Sequence, residues 1–106
     1  MTGSWRGMIG KGVVWFGREK CPFCMKTGVL FNKIGLNDKK ILIDKWSPEE
    51  IAMLKEETNQ KTFPNIFFNE RHIGGFSDVD QLYQSKKLFE LLKELDISYQ
   101  EGAEKL

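Results

Sequence analysis

The sequence predicts an α/β domain: a mixed four-stranded sheet with helices on both faces, in the element order β-α-β-α-β-β-α-α. Three observations lead there. In the first half of the chain, short apolar runs bounded by glycine or aspartate alternate with segments of helical periodicity. In the second half, two apolar runs separated by Asn69-Glu70 read as a hairpin. Finally, 106 residues with 41% apolar content suffice for one core, and no repeat or linker divides them.

Each element has its local reason. Val13-Val14-Trp15-Phe16, between Gly12 and Gly17, is an apolar run without alternation, as in a strand buried on both faces. Residues 22–34 form a helix: Pro22 suits the first turn, Cys24, Thr27, Phe31 and Ile34 fall on one face, and Gly35 fits the end. Ile41-Leu42-Ile43, closed by Asp44, is the second strand. Ser47-Pro48-Glu49-Glu50 is a capping box with proline at the first helical position, which predicts a helix over Pro48–Thr58. Asn65–Phe68 and Arg71–Ile73 make the hairpin, although Asn69-Glu70 is not the strongest turn dipeptide. Ser77 is the expected cap of one short helix and Ser85 of another, whose Leu88, Leu91, Leu92 and Leu95 form an apolar stripe. Residues 1–12 read as an extension, either poorly structured or a short helix. Residues 13–95 are the folded domain, and 96–106 a frayed tail.

The charge balance narrows the function. A formal net charge of +1 gives no reason to expect nucleic acid or an anionic membrane as partner. No apolar run approaches the ~20 residues of a spanning helix. MTGSWRGMIGKG lacks the apolar stretch of a signal peptide, so the expectation is a reducing, cytoplasmic setting. There a lone cysteine pair is more often metal-binding or catalytic than a structural crosslink.

That pair is Cys21 and Cys24, in REKCPFCMK. Cys21 falls at the junction of the first strand and first helix. Its sulfur there faces unpaired amides and the positive end of the helix dipole, which favour thiolate over thiol. Arg18, Lys20 and Lys26 add positive charge. Cys24 follows one turn later on the same face, near enough to form a disulfide but more shielded, as a resolving thiol would be. The alternatives are weaker. A closed zinc site needs four ligands, and the only further candidate among His and Cys is His72. A loop this short constrains little of the unfolded chain, so a structural staple gains little. A cluster bridged between two chains remains open.

CPFC, QKTFPN over Gln60–Asn65 and HIGGFSD over His72–Asp78, taken together, resemble the glutaredoxin family of dithiol type. The likeness runs from about Val13 to Leu95. It implies the thioredoxin fold and glutathione-dependent reduction of disulfides, above all protein–glutathione mixed disulfides. It also implies a glutathione site. Arg18 would pair bidentately with the glycyl carboxylate, where relatives usually carry lysine, and Gln60 would donate to the same group. Phe63-Pro64 matches the cis-proline loop, which lends its backbone to the tripeptide as a short strand. Ser77 and Asp78 would offer backbone amides to the γ-glutamyl carboxylate, and the Asp78 side chain would accept from the ammonium. Gly74 and Gly75 would let the ligand approach the backbone. Phe23 replaces the usual tyrosine of CPYC, Phe63 the usual valine, and Phe76 is bulkier than the residue often found there.

Each has a plainer role available. Arg18 and Lys20 suit a solvated surface, Phe63 and Phe76 a core, and Ser77-Asp78 a helix cap. His72 reads as a strand residue facing solvent, and Trp5, Trp15 and Trp46 as packing. The expected function is a glutathione–disulfide oxidoreductase acting as a monomer on glutathionylated or disulfide-bonded proteins, with glutathione as co-substrate and no metal. Cys21 alone serves the monothiol route; Cys21 with Cys24 serves the dithiol route. The rivals are a thioredoxin-like reductase fed by a flavoprotein, and an iron–sulfur carrier or redox adaptor using Cys21 and glutathione.

Overall fold

A computed structural model describes residues 4–105. The strands are β1 (Val13–Gly17), β2 (Asp38–Leu42), β3 (Asn65–Phe68) and β4 (Arg71–Gly74); the helices are α1 (Pro22–Lys33), α2 (Pro48–Thr58), α3 (Phe76–Gln84) and α4 (Lys87–Glu94). They form one four-stranded sheet in the order β2-β1-β3-β4, the mixed thioredoxin-like arrangement the sequence predicts. β1 pairs in parallel with β2 and antiparallel with β3, and β3 antiparallel with β4.

The period of two along each strand divides the core. Val13 and Trp15 of β1, with Ile66 and Phe68 of β3, face a cluster completed by α1, α3 and α4. Phe16 and Phe67 point the other way, toward Leu54 of α2, Ile43 and Trp5. Covered on both faces, β1 is buried throughout. The predicted inner face of α1 is realised in full: Cys24, Thr27, Phe31 and Ile34 are inaccessible to solvent. Thr27 satisfies its hydroxyl by donating to the Phe23 carbonyl at 2.7 Å.

Several elements depart from expectation. β2 starts at Asp38, and Ile43 lies beyond it. The parallel register Val13↔Asp38 to Gly17↔Leu42 sets its limits, so the edge strand includes Lys39 and Lys40 and leaves Leu42 exposed. Ile43 is buried after the strand ends, with its N–H donating to the Gly17 carbonyl. The hairpin turn works without the favoured dipeptide because Asn69 (φ 50°) and Glu70 (φ 70°) both adopt the left-handed conformation. The Asn69 side chain accepts from Gly12 N–H and donates to the Leu95 carbonyl.

Neither Ser77 nor Ser85 caps a helix N-terminus. Gly75 precedes α3 and Ser77 lies inside its first turn; the Asp78 carboxylate closes that turn by accepting from Gly75 N–H at 2.9 Å. Ser85 ends α3, donating its hydroxyl to the Leu82 carbonyl, and Lys86 (φ 67°) leads into α4. Near the N-terminus a 3-10 turn at Trp5–Met8 buries Trp5, whose indole donates to Glu57 at 2.8 Å. The tail is not frayed up to Lys105: Ile97 and Tyr99 pack on the α1/α4 cluster and Ala103 is buried. Gln100 N–H donates to the Ile34 carbonyl at 2.8 Å, capping the end of α1. Residues 1–3 and Leu106, parts of the predicted extension and tail, lie outside the described residues.

Candidate active site

Cys21 occupies the cap position of α1 in extended conformation (φ −136°), forced into place by the end of β1 and by Pro22 at the first helical position. Its Sγ accepts the Cys24 backbone N–H at 3.2 Å. Cys21 is partly exposed, and Cys24 has no solvent-accessible surface. Burial first, and the hydrogen bond with Cys21 next, push the Cys24 thiol up to about 11. The pair is thus unequal: one reachable sulfur poised for attack, and one sealed thiol behind it. Gly17 makes the seal possible, since a Cβ there would stand 3.0 Å from the Trp15 ring and 3.1 Å from the Cys24 sulfur.

The peptide bond between Phe63 and Pro64 is cis, and the Phe63 carbonyl faces the Cys21 sulfur at 3.7 Å. Beside it lies an open groove of about 270 Å³ that gathers Phe23, Gln60, Phe63, Pro64, Gly75, Phe76, Ser77 and Asp78 from three separate stretches of chain. These are the residues the resemblance implies for glutathione, except Arg18 and Gly74. Arg18 reaches the same place differently, with its guanidinium over the Phe63 ring at 5.1 Å. The aromatic departures also pair, as Phe23 and Phe76 set their rings 6.1 Å apart. The first turn of α3 has no side-chain cap from Gly75, and its residues Ser77 and Asp78 line the groove. Gly74 (φ +131°) must lack a side chain, because a Cβ would collide with the Asp78 carboxylate.

Gln60 lines the groove but behaves differently from its implied role. Its amide nitrogen donates to the Thr62 carbonyl at 3.0 Å and the Pro64 carbonyl at 2.9 Å, committing both hydrogens to the proline loop. No hydrogen is left for a ligand carboxylate in this arrangement. Three further residues have no site role in the sequence reading: Thr62, which lines the groove, and Asn65 and His72, which stand behind it. His72 is on the solvent-side strand β4 as expected, yet its Nε2 turns inward to the side-chain oxygens of Asn65 and Gln60. The QKTFPN and HIGGFSD stretches contain these positions without indicating that contact.

Comparison with known proteins places this geometry. The family model described as Glutaredoxin matches residues 13–73. Glutaredoxin-C6 of Oryza sativa subsp. japonica is 40% identical over 84 residues, covering 77% of this chain and 75% of the relative.

The chain belongs to the glutaredoxin family.

Among solved glutaredoxins, a buckwheat glutaredoxin–glutathione complex superposes with a TM-score of 0.72 at 30% identity, covering 80% of this chain and 79% of the other. The holo form of glutaredoxin C1 from Populus tremula x tremuloides gives 0.76 at 26% identity, covering 86% and 84%. Members of the family are generally thiol oxidoreductases, and this glutaredoxin presents its two cysteines and its proline loop in the arrangement such chemistry needs.

Proposed function

We propose that this glutaredoxin is a glutathione-dependent thiol–disulfide oxidoreductase that reduces protein–glutathione mixed disulfides through Cys21. The carrying observation is the position of the Cys21 sulfur: at the start of α1, under an amide donor, beside the Phe63 carbonyl at the groove. The glutathione bound to the buckwheat relative supports the choice of ligand.

Glutathione lies along the groove, with Phe63 and Pro64 offering backbone and the α3 amides and Asp78 taking its γ-glutamyl end. Arg18, held over Phe63, supplies positive charge for the glycyl carboxylate. The Cys21 thiolate attacks the glutathione sulfur of the mixed disulfide, the protein thiolate leaves and takes a proton from water, and glutathione stays bonded to Cys21. A second glutathione, as thiolate, attacks that bond; glutathione disulfide departs and the Cys21 thiolate returns. On a protein disulfide, Cys24 instead loses its proton and displaces the substrate, leaving a Cys21–Cys24 bridge that two glutathiones reduce. With its thiol pushed up to about 11, Cys24 is the slower partner, and the first route runs without it.

The test follows NADPH consumption through glutathione reductase with a glutathionylated peptide as substrate, comparing wild type, Cys21→Ser and Cys24→Ser. Turnover absent in Cys21→Ser and retained in Cys24→Ser is the expected result. A folded wild type without glutathione-coupled turnover would end the proposal.

A further inference from the structure

His72 sits outside the groove, yet its ring nitrogen anchors a hydrogen-bond network that grips the proline loop. The directions of that network follow from its fixed members. Backbone carbonyls only accept, so Gln60 Nε2 is the donor to Thr62 O and Pro64 O, and Gln60 Oε1 is left facing His72. Thr58 commits its hydroxyl hydrogen to the Leu54 carbonyl at 2.7 Å, so it accepts from Asn65 Nδ2 at 3.0 Å, and Asn65 Oδ1 also faces His72. Two oxygens therefore meet His72 Nε2, at 3.1 Å and 2.9 Å. That nitrogen must carry a hydrogen and share it between them.

The network spans much of the molecule. It begins at the end of α2, crosses Asn65 at the start of β3, reaches His72 on β4 and returns through Gln60 to the loop. Its last member grips the carbonyls on either side of Phe63, the residue whose own carbonyl faces the Cys21 sulfur. Asn65 is fully buried, so its oxygen needs a donor and His72 supplies it. The Phe67 ring, 5.2 Å away, holds the imidazole in place.

We propose that His72 is a positioning residue for glutathione: its Nε2–H fixes Gln60, and Gln60 fixes the two carbonyls that orient Phe63 and Pro64 along the groove. The inference rests on the glutathione-dependent function proposed for Cys21. Removing the donor leaves the buried Asn65 oxygen without a partner, releases the partly exposed Gln60 oxygen to water so that its amide can rotate, and blurs the backbone that receives the tripeptide. The loss falls on binding rather than on the sulfur chemistry, because Cys21 keeps its own amide donor from α1. Partial burial lowers the ring's pKa from its ordinary value against the opposing charge of Asp78, and the hydrogen on Nε2 follows from the two oxygens it faces.

The experiment compares wild type, His72→Leu and His72→Gln in the glutathione-coupled assay. The leucine removes the donor; the glutamine amide nitrogen can stand near the place of Nε2. Expected is a rise of about tenfold in KM for a glutathionylated peptide in His72→Leu, with kcat within about twofold, and return of KM to within about threefold of wild type in His72→Gln. The imidazole ¹⁵N spectrum of the wild type, which needs no variant to fold, should show the Nε2–H tautomer. An unchanged KM in His72→Leu, a folded His72→Gln as defective as the leucine variant, or an Nδ1–H tautomer would each overturn the assignment. Wild type without glutathione-coupled turnover removes the function beneath it instead, which separates the two failures.

Discussion

At the scale of single residues, the chemistry depends on an inequality between two sulfurs of the same type. Cys21 is reachable and takes an amide hydrogen; Cys24 is sealed under Trp15 and Gly17. Iodoacetamide at pH 7.5 should therefore add once, at Cys21. Modification of Cys24 should be on the order of a hundredfold slower than that of an ordinary exposed thiol. Peptide mass spectrometry of the native protein reads this directly, and equal labelling of both cysteines would refute it. The same shift has a stability sign. The folded chain holds the Cys24 proton to about 11 against an ordinary value of 9.0, so the unfolded chain releases it first as pH rises. The contribution is fully present below pH 9.0 and is lost between there and pH 11, so the wild type should lose more stability over that window than Cys24→Ala. Residue-scale pairing also accounts for the departures from the family pattern. Arg18 for lysine goes with Phe63 for valine, since the guanidinium lies over that ring, and Phe23 meets Phe76. Exchanges that look independent along the chain are contacts in space.

At the scale of elements, helix ends place the functional atoms. The start of α1 presents Cys21, the start of α3 presents Ser77 and Asp78, and the end of α2 begins the network that reaches His72. The start of α2 is closed by a reciprocal pair: Ser47 Oγ accepts from Glu50 N–H at 3.2 Å, and Glu50 Oε1 accepts from Ser47 N–H at 3.0 Å. Leu54 is the one fully buried residue of α2, so packing alone holds this helix weakly and the cap contributes much of its stability. Ser47→Ala should cost about 1 kcal/mol and lower the thermal midpoint by about 5 °C. A melting curve superimposable on the wild type would mean that α2 is held by its packing on the sheet instead.

At the scale of the whole molecule, the sheet separates two clusters, and the terminal segments complete them. Trp5 closes the α2 side; Ile97, Tyr99 and Ala103 close the other. Tyr99 packs its ring 5.1 Å from Phe89, and Lys93 pairs with Glu104 at 2.8 Å. A chain ending at Asp96 should lose about 2–4 kcal/mol of stability in urea denaturation, from lost apolar burial and the uncapped end of α1. Its glutathione-coupled turnover at low temperature should persist, because the groove draws no residue from the tail. A truncated chain as stable as the full one would show that the tail only rests on the core.

What could be read in the chain itself depended on interactions between near neighbours. The Ser47–Glu50 box and Pro48 delimit α2 because their partners lie three residues apart, and the inner face of α1 follows from helical periodicity alone. The CPFC stretch located the candidate nucleophile because the helix start that holds it is encoded beside it. Folding decided the rest. β2 takes its limits from the register with β1 and not from its own apolar residues, so the Ile41–Ile43 run misled. Ser77 lost its capping role because the turn out of β4 put Gly75 at the cap and Asp78 in position to close it. The frayed reading of the tail failed because Ile97 and Tyr99 find their partners on elements far earlier in the chain. His72, Gln60 and Asn65 meet only when the β3–β4 hairpin sets its register. A single side chain's solvent-facing strand position gives no sign of the two oxygens that tertiary pairing brings to its nitrogen.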